Sequence, residues 1–381
     1  EILWNRLQSD DSAVKDIRVA CVIGLGVIDL ASPGEYVDNL SQYLDDDKDD
    51  QLVLAHVPTA MAKMLDKMPS DAPQRAKVIE QMLSIMAGKP KRDAPIRQSA
   101  VQAAGLLARK EANKQDLEYN QELFKALQDR QKNGRDQQVK HFTAISIAYI
   151  GSVTENDELR LEIIEFLMGK MKKSSTGYRP WAGLGLGVMA FMMKENNSNA
   201  GMPHIAQQAV LDQFNDTKPP QEKAAYAVSL GLMGYEGAKE DLRKSMDKIN
   251  ESEFRGYAAI SLGLLTAREY KDYISAVIDE SKRDPDLMKQ ASIGLGLMQD
   301  REVVNTLIDY LSPPDGAKPR LAVLSAVATA LGFIGDRSSV DKLITTTENK
   351  RLTPLGRAFA AVSMGLVGDK ESLPWNSIIA E

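Results

Sequence analysis

One short segment of small and apolar residues returns along almost the whole chain, and no other feature restricts the fold so strongly. It reads RVACVIGLGVIDL near residue 18, RQSAVQAAGLLAR at 97, KHFTAISIAYIGS at 140 and RPWAGLGLGVMAF at 179. It recurs as KAAYAVSLGLMGY at 223, RGYAAISLGLLTA at 255, KQASIGLGLMQD at 289, AVATALGFIGD near 326 and RAFAAVSMGLVGD at 357. Aligned on one small residue, the copies superpose Gly26, Gly105, Ala148, Gly187, Gly231, Gly263, Gly296, Gly332 and Gly365. A degenerate copy lies at 51–65. The last five copies step by 32, 33, 36 and 33 residues, and earlier steps are longer. Periods of this size belong to stacked helix pairs.

Each segment reads as a helix, because apolar and small residues fill a whole cylinder instead of alternating in twos. Eleven residues beyond the alignment point stands an apolar residue in six copies: Val37, Leu159, Leu242, Ile274, Leu307 and Leu343. These open a second, amphipathic segment such as Val303, Val304, Leu307, Ile308 and Leu311, which share one stripe. Pro219-Pro220, Pro285, Pro313-Pro314, Pro319 and Pro354 punctuate the starts of the small-residue helices. Longer connectors are expected at 110–136, 169–178 and 194–203, and solvated polar loops at 45–50 and 194–200. The expected fold is all-α: an α-solenoid of about ten stacked antiparallel helix pairs. It runs as a single array over 1–381, more irregular over 1–222 and regular over 223–381, and is expected to be part of a longer chain. Glycine in a helix costs roughly 1 kcal/mol against alanine. Its recurrence implies a gain, which is the close approach of neighbouring helix axes.

The copies ALGFIGDRSSVDKLI (330–344) and AAVSMGLVGDKESLPW (360–375) resemble bacterial HEAT repeats of the phycobilisome-lyase type. That consensus has a basic residue, paired alanines and Leu-Gly-x-x-Gly-Asp. Gly332, Gly335 and Asp336 match it, as do Gly365, Gly368 and Asp369. The middle copies keep the first glycine and lose the second. AAYAVSLGLMG, AAISLGLL and ASIGLGLM are also similar to the Gly/Ala-rich repeats of proteasome and cyclosome scaffold subunits. Both resemblances imply an armadillo-like α-solenoid. The first implies a bilin lyase/isomerase subunit handling an open-chain tetrapyrrole as one alternative function. Iron enzymes of the wider HEAT family carry His-Glu pairs; here His56, His141 and His204 precede Val57, Phe142 and Ile205, and none is followed by Glu.

A basic residue precedes the alignment point by eight positions in seven copies: Arg18, Arg97, Lys140, Arg179, Lys223, Arg255 and Arg357. Eight residues correspond to about 80° around a helix, so each cation lies beside the packing seam near the helix start. A structural ladder, each cation bonding a carbonyl or carboxylate of the adjacent repeat, is the expected role. Lys170, Lys172 and Lys173 with Tyr178 form the candidate anion or partner contact.

Chemistry is sparse elsewhere. Gly183, Gly185 and Gly187 lie inside an apolar helical run and lack the strand that a dinucleotide-binding loop needs. There is no GxSxG and no HExxH. Cys21 is single, which excludes an intrachain disulfide and a CxxC pair. Asp45–Asp50 lacks the spacing and glycine of an EF-hand. With 47 basic and 53 acidic residues the net charge is −6, a poor match for nucleic acid, so a nucleic-acid-binding HEAT-like protein ranks as a second alternative. No apolar run is long enough to span a membrane, so a soluble protein is expected, with its compartment open between cytoplasm and export. No cofactor or metal is expected. The favoured function is a non-catalytic scaffold for another protein or peptide.

Overall fold

A computed structural model describes residues 1–9, 15–196, 200–281, 283–298, 302–311 and 319–369. The fold is all-α, an α-solenoid, and no strand occurs among the described residues. By contacts the chain forms two compact units, Glu1–Met202 and Pro203–Glu381.

In the first unit the helices are α1 (Ile2–Gln8), α2 (Lys15–Val27), α3 (Pro33–Asp46), α4 (Gln51–Leu54), α5 (Val57–Asp66), α6 (Pro73–Met86), α7 (Ala94–Leu106), α8 (Lys114–Asn133), α9 (Gln137–Val153), α10 (Asp157–Lys173) and α11 (Arg179–Glu195). The small-residue helices α2, α5, α7, α9 and α11 pack successively on one another, and each is backed by an amphipathic partner. In the second unit they are α12 (His204–Asp216), α13 (Pro220–Leu232), α14 (Lys239–Lys248), α15 (Ser252–Leu264), α16 (Lys271–Glu280), α17 (Pro285–Leu297), α18 (Glu302–Leu311), α19 (Leu321–Ile334), α20 (Val340–Glu348) and α21 (Pro354–Asp369). There α13, α15, α17, α19 and α21 form the equivalent stack. Described residues thus hold ten small-residue helices, one for each copy in the sequence.

The glycines explain the stacking. A Cβ on Gly26 would stand 2.9 Å from the Cα of Ala60, and one on Gly105 would stand 2.7 Å from the Cα of Ser146. In the second unit, Gly231 faces the Cα of Ser261 at 2.9 Å by the same measure. Any side chain there would force the backbones apart. Ser363 adds a polar tie across such a seam, donating its hydroxyl to the Ala328 carbonyl at 2.6 Å. Gly365 differs: it is exposed, with nothing within 4 Å of where a Cβ would stand. It lies on α21, the last described helix, so no following helix is described against that face.

The Leu-Gly-x-x-Gly-Asp turn resolves into three separate tasks. Gly332 admits the neighbouring helix, which brings the Cα of Ser363 within 3.3 Å of its missing Cβ. Gly335 takes φ +71° and closes α19 with a left-handed cap. Asp336 accepts a hydrogen bond from the Ser338 N–H at 2.8 Å and starts the next segment. Gly234 occupies the same cap position at φ +64°. In the next repeat that position is Thr266, held at φ +50°.

The apolar column eleven residues after the alignment point is buried throughout: Val37, Leu242, Ile274, Leu307 and Leu343 are 0% exposed and Leu159 is 3% exposed. In the copy aligned on Gly105 the slot holds Asp116, 1% exposed, which forms an ion pair with Arg75, 2% exposed. The connector expected at 110–136 is therefore corrected: residues 114–133 are helix α8, capped by the Asn113 side chain on the Asp116 N–H. Its start is hidden in the sequence because a charge replaces the apolar residue there, and the buried apolar residues Leu123, Phe124 and Leu127 come only later in the helix.

Candidate interaction surfaces

The seven basic residues of the column lie near the starts of the small-residue helices, and five meet main-chain carbonyls of the segment just before. Arg179 Nε donates to the Ser174 carbonyl at 2.7 Å, beyond the last turn of α10. Lys223 Nζ donates to the Phe214 carbonyl at 2.8 Å while standing 4.3 Å from the Phe214 ring centre. Arg357 Nε donates to the Thr347 carbonyl at 2.6 Å, and Arg18 Nη2 to the Leu7 carbonyl at 3.2 Å. Arg97 donates to the Arg92 carbonyl. The last turn of a helix leaves carbonyls without intrahelical partners, and a cation satisfies them and complements the helix dipole. Arg255 instead approaches Glu280 at 3.7 Å, and the Lys140 ammonium makes no hydrogen bond or ion pair among the described residues. Lys223 is only 7% exposed, and burial pulls its ammonium below the usual lysine range.

The candidate contact at 170–178 divides. Lys172 and Lys173 are exposed and without ion partners among the described residues. Lys170 is half-buried, 5.0 Å from the Phe166 ring centre, and burial together with Lys132 and Lys140 pulls its pKa down. Tyr178 is corrected to a core residue. It is 2% exposed, its hydroxyl lies 3.1 Å from Thr143 Oγ1, and burial pushes its pKa up to about 12. It stands at the N-cap of α11, where the ring packs inward and cannot reach a partner.

The lysines belong to a larger surface that the repeat spacing concealed. Three loops lead into α7, α9 and α11, and Lys132 and Lys140 both stand near enough to Lys170 to repel it. Between the first two of these loops lies a 610 Å³ cleft lined by Lys91, Arg97, Arg130 and Arg135, with Asp136 beside them. The signal for it was charge summed over loops separated by forty residues, not any local motif.

The acidic run 45–50, expected as a solvated loop, is engaged. Arg92, 4% exposed, pairs with Asp47 at 2.7 Å and donates to the Leu44 carbonyl at 2.8 Å. Arg18 pairs with Asp49, and Asp50 caps α4. A second cleft, of 680 Å³, lies where α7 and α9 end and α10 begins. Its charges balance: Arg109, Lys110 and Arg160 face Asp66, Glu155 and Asp157. Burial, then the neighbouring Arg75, pulls the Arg109 guanidinium down.

The small-residue helices leave an apolar stripe open to solvent. On α9 it is His141, Ile145 and Tyr149; on the adjoining α11 it is Trp181, Leu184, Val188 and Phe191. His141 and Trp181 stack with ring centres 5.1 Å apart. In the second unit, Tyr257, Ile260 and Leu264 on α15 lie on a helix packed against the one carrying Ile293 and Leu297. The amphipathic partners present charge instead, as in Glu158, Glu162 and Glu165 of α10. Cys21 is buried, and no group of three or more His, Cys, Asp or Glu placed to hold a metal ion occurs among the described residues. No described helix is long and apolar enough to cross a membrane.

No family model matches the chain, and no curated protein matches it. Among solved structures, human deoxyhypusine hydroxylase in complex with glycerol is similar over 88% of this chain and 97% of that one, with 15% sequence identity and a TM-score of 0.32. A likeness this distant carries no conclusion about what the chain does, and the all-α assignment stands on the helices themselves.

Proposed function

We propose that this chain is a non-catalytic scaffold that binds another protein. The observation behind this reading is the half-exposed apolar stripe on α9 and α11. Ile145, Tyr149, Leu184, Val188 and Phe191 lie on two helices packed side by side, which makes a firm surface with little conformational entropy to lose on binding. Apolar and aromatic side chains gathered on a surface are the usual anchors of protein interfaces. The resemblance of the repeats to HEAT-type solenoids supports the same reading, because such stacks offer long faces without needing a convergent acid, base or metal.

The test is affinity capture with wild-type protein and with a variant carrying Tyr149→Glu and Val188→Glu, both checked for unchanged helical content. A protein retained by the wild type and lost from the variant is the expected result. Retention indifferent to both substitutions would remove the stripe, and with it the observation on which this reading stands.

A further inference from the structure

We infer that the edge of the first unit formed by the loops into α7, α9 and α11 is a docking track for a short acidic polypeptide segment. This assignment rests on the scaffold reading and names the chemistry of one partner element. Segments 87–97, 129–140 and 170–179 hold twelve basic residues and three acidic ones, Asp93, Asp129 and Asp136. Their net charge is +9 in a chain whose total is −6, so all other residues together carry −15.

Two of the three carboxylates are already engaged. Asp129 pairs with Arg130, and Asp136 caps α9 through the N–H groups of Gln138 and Val139 at 2.8 and 3.1 Å. Several cations are likewise spent on main-chain carbonyls, Arg97 and Arg179 among them. Those that remain include Lys91, Lys132, Arg135, Lys140, Lys172 and Lys173, none of which has an ion partner among the described residues. Uncompensated cations from three successive repeats, with a 610 Å³ cleft between two of the loops, form a row that an anionic chain can follow. Carboxylates placed there would relieve the repulsion that Lys132 and Lys140 exert on Lys170 and form charge-assisted hydrogen bonds with Arg135.

The surrounding charge selects the kind of anion. Potentials fade over a Debye length of about 8 Å at physiological ionic strength. A short acidic segment confined to the track feels the cations. A nucleic acid or a lipid surface extends well beyond them and meets the acidic remainder of the molecule. No large apolar side chain is fully exposed in the three segments to enter a bilayer, and the nearby Trp181 ring is already stacked on His141.

The experiment uses the full chain and a fluorescent poly-glutamate peptide, followed by anisotropy at low and physiological salt. Poly-glutamine, single-stranded poly-dT and phosphatidylserine vesicles form the comparison arms. K132E/R135E and K172E/K173E are each expected to weaken poly-glutamate binding by about tenfold or more, as loss of complementary charge pairs does. K63E/K194E changes the net charge equally at exposed positions near the opposite helix ends, on α5 and α11, and is expected to leave binding within about twofold. Absence of binding, equal loss in K63E/K194E, or tighter binding of poly-dT or vesicles would overturn the proposal. The two readings fail separately. A partner that needs Tyr149 and Val188 but ignores all four edge cations retains the scaffold and removes the acidic track. Poly-glutamate binding that needs the edge cations, with no partner dependent on Tyr149 and Val188, does the reverse.

Discussion

Gly263 and Gly294 meet main chain to main chain: a Cβ on Gly263 would lie 2.8 Å from the Cα of Gly294. Reciprocally, a Cβ on Gly294 would lie 2.8 Å from the Ala259 carbonyl carbon. Helices α15 and α17 therefore leave no room for a side chain at either glycine. Gly263→Ala is expected to destabilise the protein by about 1–3 kcal/mol, as overpacking does. Gly365→Ala meets open space and is expected to stabilise by up to about 1 kcal/mol through helix propensity alone. Urea unfolding of both variants checks the contrast, and equal effects of the same sign would contradict the packing account.

Thr266 holds a left-handed conformation that its branched side chain disfavours. Its repeat neighbours use Gly234 and Gly335 at the same turn. The cap hydrogen bonds are nevertheless made, Thr266 N–H to the Gly263 carbonyl at 2.9 Å and Ala267 N–H to the Leu262 carbonyl at 3.0 Å. Thr266→Gly relieves strain of roughly 1–2 kcal/mol. It returns about half of that through the freer unfolded chain. A net rise in stability, read as a higher urea midpoint with an unchanged slope, is the expected outcome.

The Arg75–Asp116 pair occupies a slot that is apolar in six other repeats. Arg75 Nε and Nη2 are buried and have no hydrogen-bond partner. Asp116→Leu alone strands the guanidinium and is expected to cost about 3–5 kcal/mol. Arg75→Met with Asp116→Leu restores the repeat pattern and is expected to recover most of that loss, as apolar replacement of buried ion pairs does. A double-mutant cycle measures the recovery, and a strictly additive result would contradict it.

His141 is pulled below its ordinary value of 6.5 by burial, against the opposing pull of Asp136. Below pH 6.5 the unfolded chain therefore binds more protons at this site than the folded one. Stability from this residue is complete above that pH and is lost as the pH falls through the folded value. Unfolding midpoints are expected to drop more steeply on acidification in the wild type than in His141→Gln, and the imidazole resonances to titrate below the free-histidine value.

Much of the architecture was legible because its cause is local and repeated. Small residues at a fixed interval make a helix that packs closely wherever it recurs, and Gly335 with Asp336 writes a helix end and the next start into adjacent letters. Helix α8 was not legible, because Asp116 broke the apolar column and its compensation, Arg75, lies forty-one residues away. Tyr178 was misplaced for a related reason: a tyrosine among lysines reads as surface, while its position at the start of α11 turns the ring inward to Thr143. The basic edge was only glimpsed at Lys170, Lys172 and Lys173, since no single loop shows the charge that three loops share.

By itself, then, the chain's order of residues determined helices, their period and the seam along which they stack, because propensity, capping and small-residue packing act between positions close in sequence. Folding decided which cations stay unpaired and which apolar side chains stay wet. Those outcomes depend on groups from separate repeats meeting through space, where burial and Coulomb forces act without regard to chain position.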